Sequence, residues 1–469
     1  MSVDLDEMFA DLSRDGDMVP VGPAEGARRR GARRSRNRVV AAALAILLVA
    51  GGAGAVVWQR GHRAEPVLPA TPNSPIRGLQ PLGDPLDAGA GRTWHYTAAS
   101  EGRLFAVSVP SAASVDAREN RGFAADERTG DPLWSTPAEL GGTDVPVPIP
   151  GTVLLREAAP RPIMHLLDPA TGTERWSLPH ALDDQLVFHP DVLVRMHDAD
   201  GMTEGLDIRT GARLWSAPAG ADRPRWTSGI SAADGTRRWS PAGNDEFSDG
   251  YLFQQLASGR MVIRDVRTGE VRNSIAKVLS DQSGYTTVHD GSVVWPVGNE
   301  IRAAALGDDS TARVIYTYEE GQEFQGLFGC GQGRICVSLG SPDGRLVAVD
   351  IASARELWSA KTSGTTGGAG SRSGRTLTIG MRGAMLHDAD GRVLYEGGSQ
   401  IGWIDDANLL EFDAGPVAVL VSAADGTRTV LGEVPGATVR PGAGADCAWS
   451  TETLACADGS LLRRYRFVR

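Results

Sequence analysis

The sequence predicts an all-β protein, an eight-bladed β-propeller, behind one N-terminal transmembrane helix. Three observations carry this. A short tag, clearest in Leu206-Asp207-Ile208-Arg209-Thr210-Gly211-Ala212-Arg213-Leu214-Trp215-Ser216, recurs along the chain. Its Trp or Trp-equivalent position falls at residues 94, 134, 176, 215, 273, 316, 358, 395 and 430, so copies lie 35 to 43 residues apart with one gap of 58. Between tags stand short apolar runs bounded by Gly, Pro and Asp, and no long helical period follows residue 60. Units near this length with three or four strands each are propeller blades, and solenoids of paired helices are excluded.

The tag reads as a hairpin. An apolar run such as Ile163-Met164-His165-Leu166-Leu167 is a strand, and Asp-x-x-Thr-Gly turns the chain. Asp accepts backbone N–H groups, and Gly takes the positive φ without steric cost. The Trp then opens the next strand, its indole free to pack on a neighbouring unit. Copies run from Asp126 and Gly130 to Trp134, from Asp168 and Gly172 to Trp176, and from Asp207 and Gly211 to Trp215. Asp265 and Gly269 lead to Asn273, where the Trp is lost; Asp350 leads to Trp358 with the Gly lost. Weaker copies at Asp308, Asp388 and Asp425 leave the count between seven and nine, and eight is adopted. The gap of 58 residues is read as one blade with an inserted hairpin. One Trp per unit at a fixed offset is what packing between blades requires; stacking on sugar is the rival use of the same residues.

Repeated at this period over residues 91–469, the tag resembles the repeat of the pyrroloquinoline-quinone-like (quinoprotein) propellers. That superfamily includes quinone-dependent dehydrogenases and a non-enzymatic propeller lipoprotein of bacterial outer-membrane assembly. The dehydrogenases carry adjacent cysteines over the cofactor and a catalytic Asp in longer chains. This chain has no adjacent cysteines and no position matching those residues, so the resemblance implies the non-enzymatic branch, without cofactor or catalytic residues.

Read in order, residues 1–38 form a cytoplasmic tail. Leu5, Met8, Phe9 and Leu12 have helical spacing among acidic residues, which suits a short helix docking a cytoplasmic partner; a tail with coincidental spacing is the plainer reading. Arg28, Arg29, Arg30, Arg33, Arg34, Arg36 and Arg38 then precede the uncharged stretch Val39 to Trp58. Twenty apolar residues span a bilayer core, and the basic block keeps the tail inside. A cleaved signal peptide ending near Ala53-Gly54-Ala55 is the competitor, and the lack of a nearby Cys excludes a lipoprotein. Residues 59–90 hold six Pro and read as an extended linker. The strand around Trp94 looks like the last strand of a blade with nothing before it. The run from Thr453 to Phe467 looks like two inner strands with nothing after them, so the Trp94 strand is expected to close the ring.

Net charge is −11, with 47 Lys and Arg against 58 Asp and Glu, which excludes nucleic acid as a partner. Only Lys277 and Lys361 are lysines, a bias suggesting a GC-rich bacterial source. Four cysteines, Cys330 with Cys336 and Cys447 with Cys456, are expected as two local disulfides outside the membrane, each worth roughly 2–3 kcal/mol. A four-cysteine metal site is the alternative, without the usual close spacing. His180, His189 and His197 near Asp183, Asp184, Asp198 and Asp200 match no ligand pattern. Asp198-Ala199-Asp200-Gly201 and Asp388-Ala389-Asp390-Gly391 resemble calcium-loop fragments but lack the distal Glu, so plain turns are expected. Gly364 through Gly374 reads as a loop. No nucleophile or phosphate-loop motif appears. The expected function is binding: an outward-facing platform at the plasma membrane for an envelope protein or wall component. A ligand sensor signalling through the tail and a diverged dehydrogenase are the alternatives.

Overall fold

Apolar runs in this chain are too short for helices and too continuous to face water, and the computed structural model pairs them into nine sheets. It describes residues 75–469 apart from 101, 112–119, 137–146, 150, 157–162, 182, 231–237, 240–245, 248–249, 276–285, 306–311, 341–343, 363–365, 381–382, 413–414, 436 and 438–446. Blade 1 consists of Arg92–Ser100, Arg103–Pro110, Arg121–Asp126 and Pro132–Ser135, hydrogen-bonded antiparallel in that order. Blades 2 to 8 repeat the plan over residues 147–179, 185–217, 224–275, 287–317, 324–361, 366–397 and 401–433. First strands touch where blade 9 meets blade 1, 1 meets 2, 3 meets 4, 5 meets 6 and 6 meets 7, which sets them around the axis with the fourth strands outermost.

The core lies between blades rather than inside one sheet. Leu154, Met164 and Leu166 of blade 2 pack on Phe188, Leu193 and Leu206 of blade 3. Ile301 and Ile315 of blade 5 pack likewise on Ile335, Val337 and Val347 of blade 6. Second and third strands are therefore covered on both faces, which is why they read as unbroken Val/Leu/Ile runs instead of alternating ones. Each fully buried Leu or Ile contributes about 1.5–3 kcal/mol. Fourth strands such as Arg213–Ala217 have water on one side and alternate accordingly.

Three expectations are corrected. There are nine blades, not eight, because every degenerate copy of the tag still closes a four-stranded sheet. Ring closure is made by Gly78–Pro81, not by the strand around Trp94. Gly78–Pro81 pairs antiparallel with Leu461–Val468, the third strand of blade 9, beside Thr453–Asp458 and Cys447–Trp449. Trp94 belongs instead to the first strand of blade 1, although its backbone N–H does reach Gly459 O at 2.8 Å in blade 9. The propeller thus begins inside the stretch read as linker: Ile76 is buried in the blade 8–9 core. The prolines misled, since Pro81 stands on an outermost strand whose free edge needs no N–H. Third, part of the expected loop Gly364 to Gly374 is the first strand of blade 7, Thr366–Arg372.

The gap of 58 residues is one blade with an insertion, as read. Residues 231–250 join its first two strands and contain the pair Arg238–Trp239 and Glu246–Phe247. The latter pairs in parallel with Gln185–Phe188, so the insertion extends blade 3 on its axial side. The tail, the Arg block and the apolar stretch lie outside the described residues. Among those described, no helix is long and apolar enough to cross a membrane.

Candidate binding face

Each of the four clearest tags is a five-residue turn closed by the Gly N–H on the Asp carbonyl: Gly130 to Asp126, Gly172 to Asp168 and Gly211 to Asp207, all at 2.8 Å, and Gly269 to Asp265 at 2.9 Å. The Asp carboxylate takes the next free donors. Asp207 Oδ1 accepts from Arg209 N at 2.9 Å, Thr210 N at 2.8 Å and Thr210 Oγ1 at 3.0 Å. These bonds favour the ionised form. The backbone of Thr129 holds Asp126 below the usual carboxylate range, and Arg175 does the same for Asp168. At Asp207 and Asp265 burial works the other way and is outweighed by the hydrogen bonds.

The Trp of each tag docks on the next blade. Trp134, Trp176 and Trp215 donate their indole N–H to Pro169 O, Ile208 O and Val266 O at 2.9, 2.9 and 3.0 Å. Trp358 donates to Ala389 O at 2.9 Å. These carbonyls belong to the residue after the tag Asp, and the ring lies on the tag Gly. A Cβ on Gly172, Gly211, Gly269 or Gly391 would come within 2.6–2.8 Å of the indole. A β-bulge just before the Trp aims it: Leu133, Arg175, Leu214 and Leu357 are each the extra residue of the fourth strand. Such a bulge bends the strand and redirects the following side chain.

The degenerate copies adjust in pairs. Where blade 6 has Ala354 at φ 57° instead of Gly, the preceding blade offers Tyr316 rather than Trp. In blade 8, Ser422 replaces the tag Asp, and its carbonyl still accepts from Gly426 at 2.8 Å. There the bulge moves to Leu431, and Val430 is left 68% exposed with no docking role. Between blades 9 and 1 an arginine does the indole's work. Arg464 lies over Gly130, donating Nη1 to Gly130 O and Nη2 to Asp84 O. No sequence signal marked this residue.

Antiparallel alternation puts the tags and the turns between first and second strands at one end of the ring. That end is closely knit. The N–H following the tag Asp reaches the other turn of its own blade, as in Ile208 N to Asp191 O and Ile351 N to Gly333 O, at 3.0 and 2.9 Å. Arg267 crosses to Asp191 of the neighbouring blade at 2.9 Å. Its connections are short apart from 231–250. The strand ends that flank 111–120, 136–146, 276–286 and 434–446 lie at the opposite end, and most of those connections themselves fall outside the described residues. That end is the candidate binding face.

The histidines and acids singled out earlier do not converge. His189 sits at the tag end, where its Nδ1 accepts from Asp191 N at 3.0 Å. His197 lies at the opposite end, 3.0 Å from Glu204, and Asp184 there pairs with Arg195 at 2.7 Å. His180 stands in the connection between blades 2 and 3. Asp388-Ala389-Asp390-Gly391 is the tag of blade 7, and Asp388 Oδ1 accepts from Asp390 N and Arg392 N, both at 2.9 Å. Asp200 in the other fragment caps Met202 N at 2.9 Å. Among the described residues no group of three or more His, Cys, Asp or Glu is placed to hold a metal. Cys330, just past the first strand of blade 6, is bonded to Cys336 in its second strand, and Cys447 in the first strand of blade 9 to Cys456 in its second.

A family model described as outer membrane protein assembly factor BamB matches residues 124–294, the stretch that holds the four best tags. Over that stretch the repeats match a PQQ-like model. No curated protein matches the chain. Among solved structures, BamB from Moraxella catarrhalis is 15% identical, covering 83% of this chain and 100% of that one, with a TM-score of 0.41. The computationally designed Ika8 protein is 12% identical over 83% and 100%, TM-score 0.45. Sqt1 from Saccharomyces cerevisiae is 9% identical over 77% and 100%, TM-score 0.43.

Proposed function

We propose that this chain is a non-enzymatic binding platform of the bacterial envelope, anchored by residues 39–58 with its propeller outside the plasma membrane. Its partner is another envelope protein, with a wall component as the competing occupant. The observation that carries this is the division of labour between the two ends of the ring. Turns at the tag end, apart from 231–250, spend their donors and acceptors on one another, whereas the opposite end has four of the five longest connections on a rigid scaffold, where binding residues usually sit. The family model's description as an assembly factor supports a protein partner.

Photo-crosslinking in native membranes tests it, using the full-length chain with the probe placed in 136–146 or 434–446, and at Arg209 or Arg267 as tag-end controls. Crosslinks to one envelope protein from the long connections alone support the reading. Crosslinks confined to the tag end, or none from a folded chain, remove it.

A further inference from the structure

Where blade 9 meets blade 1, the tag glycine Gly130 is covered by charged and hydroxyl groups instead of an indole. Besides Arg464, the junction contains Glu127, the residue after the tag Asp of blade 1. Glu127 Oε1 accepts hydrogen bonds from the hydroxyls of Ser450 and Thr453 in the first hairpin of blade 9. Those hydroxyls also shape that hairpin, since Glu452 N and Thr453 N donate to Ser450 Oγ at 3.0 and 3.1 Å. The other charges facing Glu127 are Glu452 on the hairpin and Asp126 in its own turn. Arg464 and Arg466 are turned to the carbonyls of Gly130 and Arg128, and Asp131 is the acid that Arg464 feels. A carboxylate here is partly withdrawn from water, faces two more carboxylates and, among the described residues, takes its side-chain hydrogen bonds from neutral hydroxyls. Burial pushes its carboxyl up, Glu452 and Asp126 add to that, and the two hydroxyls oppose it.

We propose that Glu127 is a proton-operated clasp on the ring: protonation tightens the closure between blades 9 and 1, and ionisation loosens it. A carboxyl raised in the folded state contributes stability that is complete below its ordinary value and is lost as pH rises through the raised one. Blade 9, whose sheet holds both ends of the propeller chain, meets blade 1 at this junction, so the two blades part more readily as pH rises.

Hydrogen exchange on the full-length chain between pH 4.5 and 7.5, corrected for the intrinsic pH dependence of exchange, tests this. The reporting amides are Trp94 N–H, bonded to Gly459 O, and Leu82 N–H, bonded to Arg464 O. Their protection should fall as pH rises, by at most about tenfold per pH unit, the limit for one proton. The amides of Gly172 and Gly211 should show no such fall. Glu127→Gln should hold the junction at its acid-side protection throughout. Exposed Glu452→Gln removes a like charge and should move the fall to lower pH, which decides the matter if the first variant does not fold. Wild-type protection that is flat with pH or declines in acid overturns the clasp. So does wild-type pH dependence persisting in Glu127→Gln, or a fall left unmoved in Glu452→Gln.

Discussion

Gly211 is glycine for two separate reasons, and only one is local. Its φ of +72° is the left-handed region, and the indole of Trp176 lies where a Cβ would be. Gly151 has φ +74° with nothing near the missing Cβ. Gly151→Ala should therefore cost only the left-handed strain, about 1–2 kcal/mol. Gly211→Ala should cost about 1–3 kcal/mol more, because the neighbouring blade must shift. Urea unfolding of the two variants separates these terms. His387 makes a second case. It is fully buried, stacked on Trp358 at 6.1 Å between ring centroids, and burial holds it below the ordinary histidine range against the Gly391 backbone and the Asp388 charge. A histidine depressed in the folded state stabilises above its unfolded value and loses that contribution as pH falls towards the folded one. Wild type should thus lose stability relative to His387→Leu as pH drops from about 7 to about 5. Parallel denaturant titrations at the two pH values would show whether the difference between the proteins narrows.

At the scale of the element, the fourth strand is the working part of each blade, and its bulge decides whether an aromatic docks. Trp215→Phe keeps a ring over Gly269 but removes the indole donor to Val266 O, so the expected loss is about 1 kcal/mol. Trp215→Ala removes the ring as well and should cost about 2–4 kcal/mol, since the side chain is only half-buried. Val430 occupies the same offset in blade 8, yet Val430→Ala should stay within about 0.5 kcal/mol, because no junction depends on it. Thermal unfolding of the three variants ranks them. The tag's turn chemistry was legible in the residues, for Asp, Thr and Gly act within five positions of one another. Its docking role was legible only as a need for packing. The partner carbonyls belong to residues 32 to 51 positions away, and their identities, Pro169, Ile208 and Val266, carry no common signature.

For the molecule, closure is the decisive event, and it hangs on a short strand. Gly78–Pro81 gives blade 9 its fourth strand, and the chain as far as Ala88 stays on that blade, with Leu82 N bonded to Arg464 O and Ala88 N to Ser460 O at 2.9 and 2.8 Å. A chain starting at residue 91, where the repeats alone would place the domain boundary, leaves the Leu461–Val468 edge unpaired and empties the site of Ile76. It should unfold at lower urea than a chain starting at residue 75 and should self-associate through the open edge. Size exclusion with denaturant titration compares the two. If both prove monomeric and equally stable, the closing strand has no structural weight.

By itself, the sequence determined the repeat, the all-β class, the turn chemistry of the tags and the pairing of the four cysteines. All of these are written within one unit of about 40 residues, where neighbours along the chain are neighbours in space. Tertiary structure alone decided the number of blades, the strand that closes the ring, and the use of Arg464 over Gly130, with Glu127 beside it, where other blades use an indole. Those depend on contacts more than 300 residues apart. Such a junction occurs once in the ring, so no repetition along the chain announces it.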